Sequence, residues 1–338
     1  MDRRDFVKSS LAFGVGLSQY SFGSVFLGSP RRTYISSSLS RICFGSCNDQ
    51  GLSQEFWVNI AQNNPDLWVW LGDNIYADYA SPEERQAEYL ALKKNSYYEA
   101  FANSVPMVGT WDDHDYAYDN ADGNYLEKEK SQEAFCNFLG LPTQHILRSS
   151  QGVYQSFIYG GESERRVHLI LLDLRYFKEG DRLLGEEQWQ WLAKELANSS
   201  GDLVLIGSSL AVLSEFTGFG LEGWAAFKQE RRRFFEILDL CPHPVVLLSG
   251  DRHYTEISRK NLRSGKVIYE FMASGLTHNT PVGLPNRYRL AGRAGENNFG
   301  KIDLSWEDDK VFVGFEALST NRRGRKLYSH GAYLDLEA

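Results

Sequence analysis

The sequence has 338 residues, of which 42% are hydrophobic and 24% are charged, and its formal net charge is −8. This composition is ordinary for a globular protein, and the length allows one large α/β domain or two modest ones. An acidic chain without a basic block disfavours a dedicated nucleic-acid binder, and its four cysteines fit neither a zinc finger nor a disulfide framework.

The N-terminal segment carries the features of an export signal. Arg3 and Arg4 form an arginine pair, and residues 11–29 contain no charged side chain. This pattern predicts a twin-arginine signal over residues 1–30, although the stretch is too polar to be a strong membrane span. We therefore expect contact with the export machinery and an exported protein, either periplasmic or extracellular, with an uncleaved signal as a possible membrane anchor. The alternative is a frayed basic N-terminus.

Strand-like and helix-like segments alternate after the signal. Apolar runs predict strands at Arg41–Gly45, Leu67–Leu71, Met107–Trp111, Val153–Tyr159, Val167–Leu172, Leu203–Ser208, Val245–Ser249, Val267–Ala273, Asn298–Trp306 and Val311–Ala317. Amphipathic or polar segments predict helices at Pro82–Ala102, Lys128–Leu139, Glu186–Ala197 and Lys228–Leu238. Near-continuous apolar strands of this kind belong to a sheet that helices cover on both faces, within one domain over residues 35–338.

Polar residues cluster just past the ends of several predicted strands, where open α/β sheets place their sites. The clusters are Gly45–Cys47, Gly72–Asp78, Trp111–Asp115, Leu172–Arg175 and Ser249–His253. Carboxylates crowded in this way repel one another unless cations neutralise them. Asp, Tyr, Cys and His side chains together indicate shared metal ions, such as iron, manganese, zinc or calcium. For the Trp111–Asp115 cluster alone, the alternative is an acidic surface turn.

Seven short motifs resemble the alkaline phosphatase D (PhoD-like) family of metallophosphatases and occur in that family's order. They are FGSC at 44–47, GDNIYAD at 72–78, WDDHD at 111–115, LLDLRYF at 171–177, LGEEQWQWL at 184–192, LSGDRH at 248–253 and ASGLTH at 273–278. The resemblance implies a single-domain, four-layer α/β/β/α sandwich of the calcineurin-like metallophosphoesterase type. It also implies a hydrolase that cleaves small phosphate monoesters, diesters or both by metal-activated water.

The resemblance further implies a ligand set for Fe³⁺ and Ca²⁺, with Mn²⁺ or Zn²⁺ as other possible metals. Cys47, Asp73 and Tyr76 would hold ferric iron, and Asp73 would bridge to the second cation. The remaining ligands would be Asp113, Asp251 and His253.

The sequence departs from the family pattern at one expected ligand. Asp119 stands where the family has a metal-binding Asn, and Asn120 follows it. A register shift by one residue would make Asn120 the ligand, so either residue could bind the metal. An Asp at this position would add negative charge to the site.

Four further residues are expected to act on the substrate. His114, supported by Asp115, is the candidate for a transition-state contact or for the acid that protonates the leaving group. Arg175 and Arg252 are candidates for phosphate contacts, because a guanidinium fork matches phosphate oxygens. The alternative for both arginines is an ion pair with a neighbouring aspartate.

Two other functions remain open from the sequence. One is a phospholipase-like phosphodiesterase, which would differ only in the shape of the pocket rim. The other is a metal-stabilised binding protein without catalysis, which would lack a ligand or His114.

The export hypothesis predicts the outcome of a conservative substitution. Replacing Arg3 and Arg4 together by Lys keeps the charge and should leave the protein in the cytoplasm of its native host, because the twin-arginine route reads the arginine pair. Cell fractionation measures the result. Normal export of the double variant would remove the twin-arginine interpretation.

Overall fold

The structure is a computed structural model, and it describes residues 30–218, 222–321 and 324–336. The predicted export signal, apart from Pro30, lies outside the described residues. Among the helices that are described, none combines the length and the apolarity needed to cross a membrane.

The strands of the described residues form two sheets. In spatial order, the six-stranded sheet contains β14 (Lys326–Asp335), β13 (Lys310–Ser319), β12 (Asn298–Trp306), β2 (Arg41–Gly45), β3 (Leu67–Leu71) and β4 (Met107–Thr110). The eight-stranded sheet contains β1 (Arg32–Ile35), β5 (Gln155–Tyr159), β6 (Val167–Leu171), β7 (Leu203–Ser208), β8 (Val245–Ser249), β10 (Val267–Ala273), β9 (Thr255–Asn261) and β11 (Arg289–Arg293).

The helices lie between these strands along the chain. They are α1 (Phe56–Ala61), α2 (Pro82–Lys94), α3 (Ser96–Ala102), α4 (Asp113–Tyr116), α5 (Lys128–Phe138), α6 (Gly185–Ala197) and α7 (Lys228–Leu240), with short 3₁₀ helices at Ile146–Arg148 and Trp224–Ala226.

The two sheets pack face to face, and alternation along each strand divides its side chains between two cores. In β3, Leu67, Val69 and Leu71 join the core between the sheets, whereas Trp68 and Trp70 point to the opposite face. The inner core combines residues of both sheets, such as Val69 and Phe315 of the six-stranded sheet with Leu205 and Leu248 of the eight-stranded one; its members are buried. Burial of this apolar surface is the main force that holds the sheets together.

Helices cover the outer face of each sheet. The core around Trp68 and Trp70 includes side chains from α1, α2, α3 and α5, so these helices cover the six-stranded sheet. A separate core joins Trp189 of α6 and Phe234 of α7 to outward-facing residues of β6, β7 and β8. The order of layers is therefore helix, sheet, sheet, helix. This confirms the predicted four-layer α/β/β/α sandwich.

Parallel pairing brings the strand ends that carry the polar clusters to one edge of the sandwich. β2, β3 and β4 run parallel in one sheet, and β6, β7, β8 and β10 run parallel in the other. Their carboxyl ends are followed by the clusters predicted from the sequence. We therefore expect the functional site at this edge of the sandwich.

The structure corrects the predicted elements at several places. The helix predicted at Pro82–Ala102 is two helices, because Asn95 is extended (ψ 124°) and its side chain caps α3 by accepting from the N–H of Tyr97 and Tyr98. β1, α1, α4, β9, β11 and β14 were not predicted. Several of them are short, and most residues of β11 and β14 are exposed or half-buried, so an apolar run could not mark them.

A glycine in β4 gives a test of the close strand packing beside the site. A Cβ built on Gly109 would lie 2.6 Å from Cβ of Trp70 on β3, an atom that no side-chain rotation can move. Gly109→Ala should lower the free energy of unfolding by about 1–3 kcal/mol, measured by denaturant titration. The matched control is Gly161→Ala, whose Cβ would meet only the flexible Glu164 side chain at 3.4 Å. Equal stability of the two variants would contradict this packing argument.

Candidate metal centre

Loops from both sheets are bonded to one another at the site edge. The N–H of Asn48, after β2, donates to the carbonyl of Asp73, after β3, at 2.8 Å. The N–H of Leu276, after β10, donates to the carbonyl of Ser46 at 3.1 Å. These backbone bonds fix the loop of Cys47 between a neighbour in its own sheet and a loop of the other sheet.

Asp73 lies at the centre of the predicted ligand cluster. Sγ of Cys47 lies 3.4 Å from Oδ2 of Asp73. Ligand atoms of Cys47, Asp73 and His253 all lie within 4.8 Å of one another, and so do those of Asp73, Asp113 and His114. Because Asp73 belongs to both groups, its carboxylate can bridge two cations.

The predicted tyrosine ligand reaches the same cluster. Oη of Tyr76 lies 3.1 Å from Nε2 of His253. The Tyr76 ring also stands between His114 and His278, with ring centroids 4.3 and 4.6 Å away. The phenol oxygen therefore lies beside a predicted metal ligand.

Left-handed backbone conformations are concentrated in the cluster. Among the described residues, seven that are not glycine have a positive φ, and five of them belong to it: Cys47, Asp73, Asn120, Asp251 and His253, with φ values of 61°, 46°, 60°, 75° and 57°. This left-handed region is uncommon for residues other than glycine, and holding a residue there costs about 1–3 kcal/mol. Strain concentrated at the predicted ligands is typical of a site that surrounding contacts hold in a fixed geometry.

Burial changes the acid–base properties of this cluster. Burial, reinforced by the charge of Asp113, raises the pKa of Asp73 well above its ordinary value. Burial likewise raises the pKa of Asp251 to about 8, and it raises the pKa of Cys47 and of Tyr76. For His253, burial lowers the pKa to about 4. Without added positive charge, these groups therefore favour their neutral forms.

The donor set fits metal ions. Oδ1 of Asp73 is buried and has no hydrogen-bond partner in the described part of the chain, and Oδ2 of Asp251 has only the ion pair with Nε of Arg252 at 3.3 Å. An unpaired buried carboxylate oxygen is costly unless a cation binds it. Cations would also favour the ionised thiol, phenol and carboxyls that burial otherwise keeps neutral. The thiol and imidazole suit a transition metal, whereas the carboxylates also suit a hard cation such as Ca²⁺.

The structure corrects the predicted partner of His114. Nδ1 of His114 lies 2.8 Å from both carboxylate oxygens of Asp78, so Asp78 rather than Asp115 supports the imidazole. Burial lowers the pKa of His114, but the bond to Asp78 and the nearby carboxylates of Asp73 and Asp113 outweigh burial and raise this pKa to about 10. With Nδ1 engaged, Nε2 is the nitrogen available to the cavity.

Asp115 has a structural environment instead. It is fully buried and accepts hydrogen bonds from the backbone N–H of Asp112, the amide of Asn74 and the hydroxyl of Tyr89 at 2.6, 2.6 and 3.1 Å. Its carboxylate joins the start of α4 to the β3 loop and to α2. The catalytic role expected for Asp115 therefore has no support in these contacts.

Arg175 lies behind the site rather than in it. Its guanidinium is fully buried and donates to Asp112 at 2.5 Å, and it also pairs with Glu222. Nη2 lies 3.6 Å from Oδ1 of Asp113. The ion-pair alternative therefore describes Arg175 better than a phosphate contact, although its carboxylate partners are not the neighbouring Asp173.

Arg252 is placed differently, because it lines the cavity of the site. Nη2 donates to the carbonyl of Phe216 at 3.2 Å, and Nε lies 3.3 Å from Oδ2 of Asp251. Nε and Nη1 are buried and make no hydrogen bond to any described residue. Arg252 thus combines the ion-pair alternative with N–H groups that remain available to a phosphate.

Asp119 and Asn120 both line the same cavity. The N–H of Asn120 donates to Oδ2 of Asp113 at 2.5 Å, and its side-chain amide donates to Asp119 at 2.9 Å. The N–H of Asp119 donates to Asp78 at 3.0 Å. The geometry leaves both residues as possible ligands.

The cavity has a volume of about 170 Å³, and Asp73, Asp113, His114, Asp251 and His253 contribute to its wall.

The sequence did not predict two further carboxylates at the site, those of Asp78 and Glu222. Asp78 ends the GDNIYAD motif, so its position signalled a role, whereas Glu222 lies in no motif.

Comparisons with known proteins identify a family and a fold. The sequence profile of the PhoD-like phosphatase family matches residues 42–299. A structure of PhoD superposes with a TM-score of 0.71 at 16% identity, over 89% of this chain and 70% of that chain. Purple acid phosphatase PPD1 from yellow lupin (Lupinus luteus) seeds gives 0.55 at 11% identity, over 88% of this chain and 54% of that one.

At these identities, the structural likeness shows the fold alone, and no curated protein matches the sequence. The family match covers most of the chain and includes the predicted ligands. The chain therefore belongs to the PhoD-like phosphatase family and is a hydrolase of phosphoric esters.

Proposed function

We propose that this hydrolase is an exported enzyme that cleaves small phosphate monoesters, diesters or both at a centre of ferric iron and calcium. The observation that carries the proposal is the convergence of a thiol, a phenol, an imidazole and several carboxylates around Asp73. The export part rests on the arginine pair at Arg3 and Arg4 and on the uncharged stretch that follows it.

The metal assignment rests on the resemblance to the family, and the chemistry of the donors fits it. Cys47, Asp73 and Tyr76 would hold ferric iron through a thiolate, a carboxylate and a phenolate. Asp113, Asp251 and His253, with Asp119 or Asn120, would complete the cluster, and its carboxylates suit calcium. When bound, the cations provide Lewis-acid polarisation of the phosphoryl group and of the water that attacks it.

The protein's own side chains supply the remaining chemistry. His114, held at Nδ1 by Asp78, carries a proton at Nε2 and donates it to the departing ester oxygen. Nη1 of Arg252 is buried without a partner among the described residues and can donate to the phosphoryl oxygens, where negative charge develops in the transition state. Both residues face the cavity, so a phosphate there can contact them together.

The iron assignment predicts a coloured protein. A tyrosinate bound to ferric iron gives a charge-transfer band in the visible range. Tyr76→Phe keeps the ring but removes the ligand oxygen, so it should abolish the band, and absorption spectroscopy with metal analysis measures this. The control is Tyr116→Phe, since the Tyr116 hydroxyl only donates to the carbonyl of Asp122 and lies outside the cluster. A colourless wild-type protein that contains iron would refute the tyrosinate ligand.

The acid role of His114 predicts a dependence on the leaving group. His114→Ala should keep the visible band and lower turnover of alkyl phosphate esters by about 10²–10⁴-fold. The loss should be smaller for aryl esters, because a better leaving group needs less protonation. His243→Ala, outside the site, is the control. An equal loss for both kinds of ester would remove the acid role, and full activity of His114→Ala on every ester would remove the catalytic assignment.

A further inference from the structure

Glu222 places an unexpected carboxylate in the catalytic cavity. It lies on the segment after β7 and lines the cavity together with Asp113, His114 and Arg252. Its side chain is 14% exposed, and its two oxygens pair with Nη1 of Arg175 and Nζ of Lys178. No motif of the sequence includes Glu222, and the chemistry proposed above does not use it.

Because Glu222 pairs with Arg175 and Lys178, neither of these cations is available to bind a substrate. Arg175 is fully buried, and its Nε is already bonded to Asp112. Nζ of Lys178 also donates to the carbonyls of Asn120 and Ala121 at 2.8 and 3.3 Å. Neither cation therefore adds free positive charge to the cavity while Glu222 is ionised.

The other titratable and charged groups of the cavity wall leave few cations that a phosphate can contact. Asp113 and Asp119 face it from the segment after β4, and Asp251, Arg252 and His253 face it from the segment after β8. His114 is the remaining titratable group of the wall that can carry positive charge, and Asp73 is a predicted metal ligand. Arg252 is thus the arginine of the wall that a phosphate can contact.

Part of the cavity wall is apolar. Val282 and Leu284 contribute this part, close in the chain to Thr280, which also lines the cavity, and Val282 is 71% exposed. Leu284 is anchored, because its carbonyl accepts from Arg289 and its side chain packs on the cluster of Ala211, Tyr254 and Met272. An uncharged organic substituent of a phosphate can pack against Val282 and Leu284, whereas these two side chains offer no hydrogen bond to an additional charged oxygen.

We propose that Glu222 is a specificity-determining residue that selects phosphate groups with one negative charge over those with two. The inference rests on the proposed function, because it concerns the same cavity. A phosphate monoester loses its second proton at pH about 6 and is then a dianion, whereas a diester keeps one charge. The cavity is small, so a phosphate in it lies within a few ångströms of Glu222. The selected class is therefore the phosphodiester, with its second ester group against Val282 and Leu284.

The test compares binding of two anions that differ in charge. Isothermal titration of metal-loaded protein at pH about 8 gives dissociation constants for inorganic phosphate and for dimethyl phosphate. Glu222→Gln should strengthen binding of phosphate relative to dimethyl phosphate by about tenfold, the effect of one unit charge at about 6 Å in an effective dielectric of about 40. The ratio of kcat/KM for a monoester to that for a diester should rise in the same direction.

Two variants serve as controls. Glu222→Asp keeps the charge and should keep the wild-type ratio, which separates charge from shape. Glu215→Gln removes a carboxylate of the same segment that pairs with Arg287 and Arg231 outside the cavity, and it should also leave the ratio unchanged. A folded, metal-loaded Glu222→Gln with the wild-type ratio would overturn the proposal.

A second measurement needs no substitution. In the wild-type protein, affinity for phosphate relative to dimethyl phosphate should rise as the pH falls through the second ionisation of phosphate. A ratio that does not change across this range would overturn the inference even if Glu222→Gln fails to fold. Absence of hydrolysis of both esters would refute the proposed function instead, and the binding ratio would still decide the role of Glu222.

Discussion

Mutual repulsion among buried acidic groups is the constraint on which the site depends. Asp73, Asp113 and the thiol of Cys47 are buried, and the half-buried Asp251 and Tyr76 lie in the same cluster. The protein supplies part of the opposing charge through Arg175 and Arg252, and both are themselves buried. The rest must come from protons or metal ions. The groups whose pKa burial raises therefore ionise together with the binding of cations.

The loops that carry the site residues keep their positions despite this repulsion because hydrogen bonds outside the cavity support them. Asp173, from the LLDLRYF motif, does not face the cavity but accepts bonds from Trp111 Nε1 and from the backbone N–H groups of Val153, Arg175 and Tyr176 at 2.8–3.0 Å. Its carboxylate thereby connects the strand that precedes the acidic cluster to the segment that carries Arg175. Rigid support of this kind allows several site residues to keep left-handed backbone conformations.

The sequence predicted the parts of the site that follow apolar strands, because parallel strands of a sheet bring their carboxyl ends together. It failed where contact depends on side-chain direction. His114 and Asp115 are neighbours, but they lie on one helical turn, so their side chains diverge and Asp78 reaches the imidazole from another loop. Glu222 escaped notice because a single glutamate carries no pattern. The break at Asn95 escaped notice for a related reason, since a polar residue suits both a helix surface and a cap.

The division of the cluster between the two sheets has a mechanical consequence. Cys47, Asp73 and Asp113 follow strands of the six-stranded sheet, whereas Asp251 and His253 follow a strand of the eight-stranded sheet. Between the sheets lies an apolar interface, and such an interface opposes separation more strongly than sliding, because dispersion and burial are not directional. Ions shared across the edge would oppose such sliding together with the backbone bond from Leu276 to Ser46. Metal release would then lower the resistance to sliding at this end while the apolar interface stays intact.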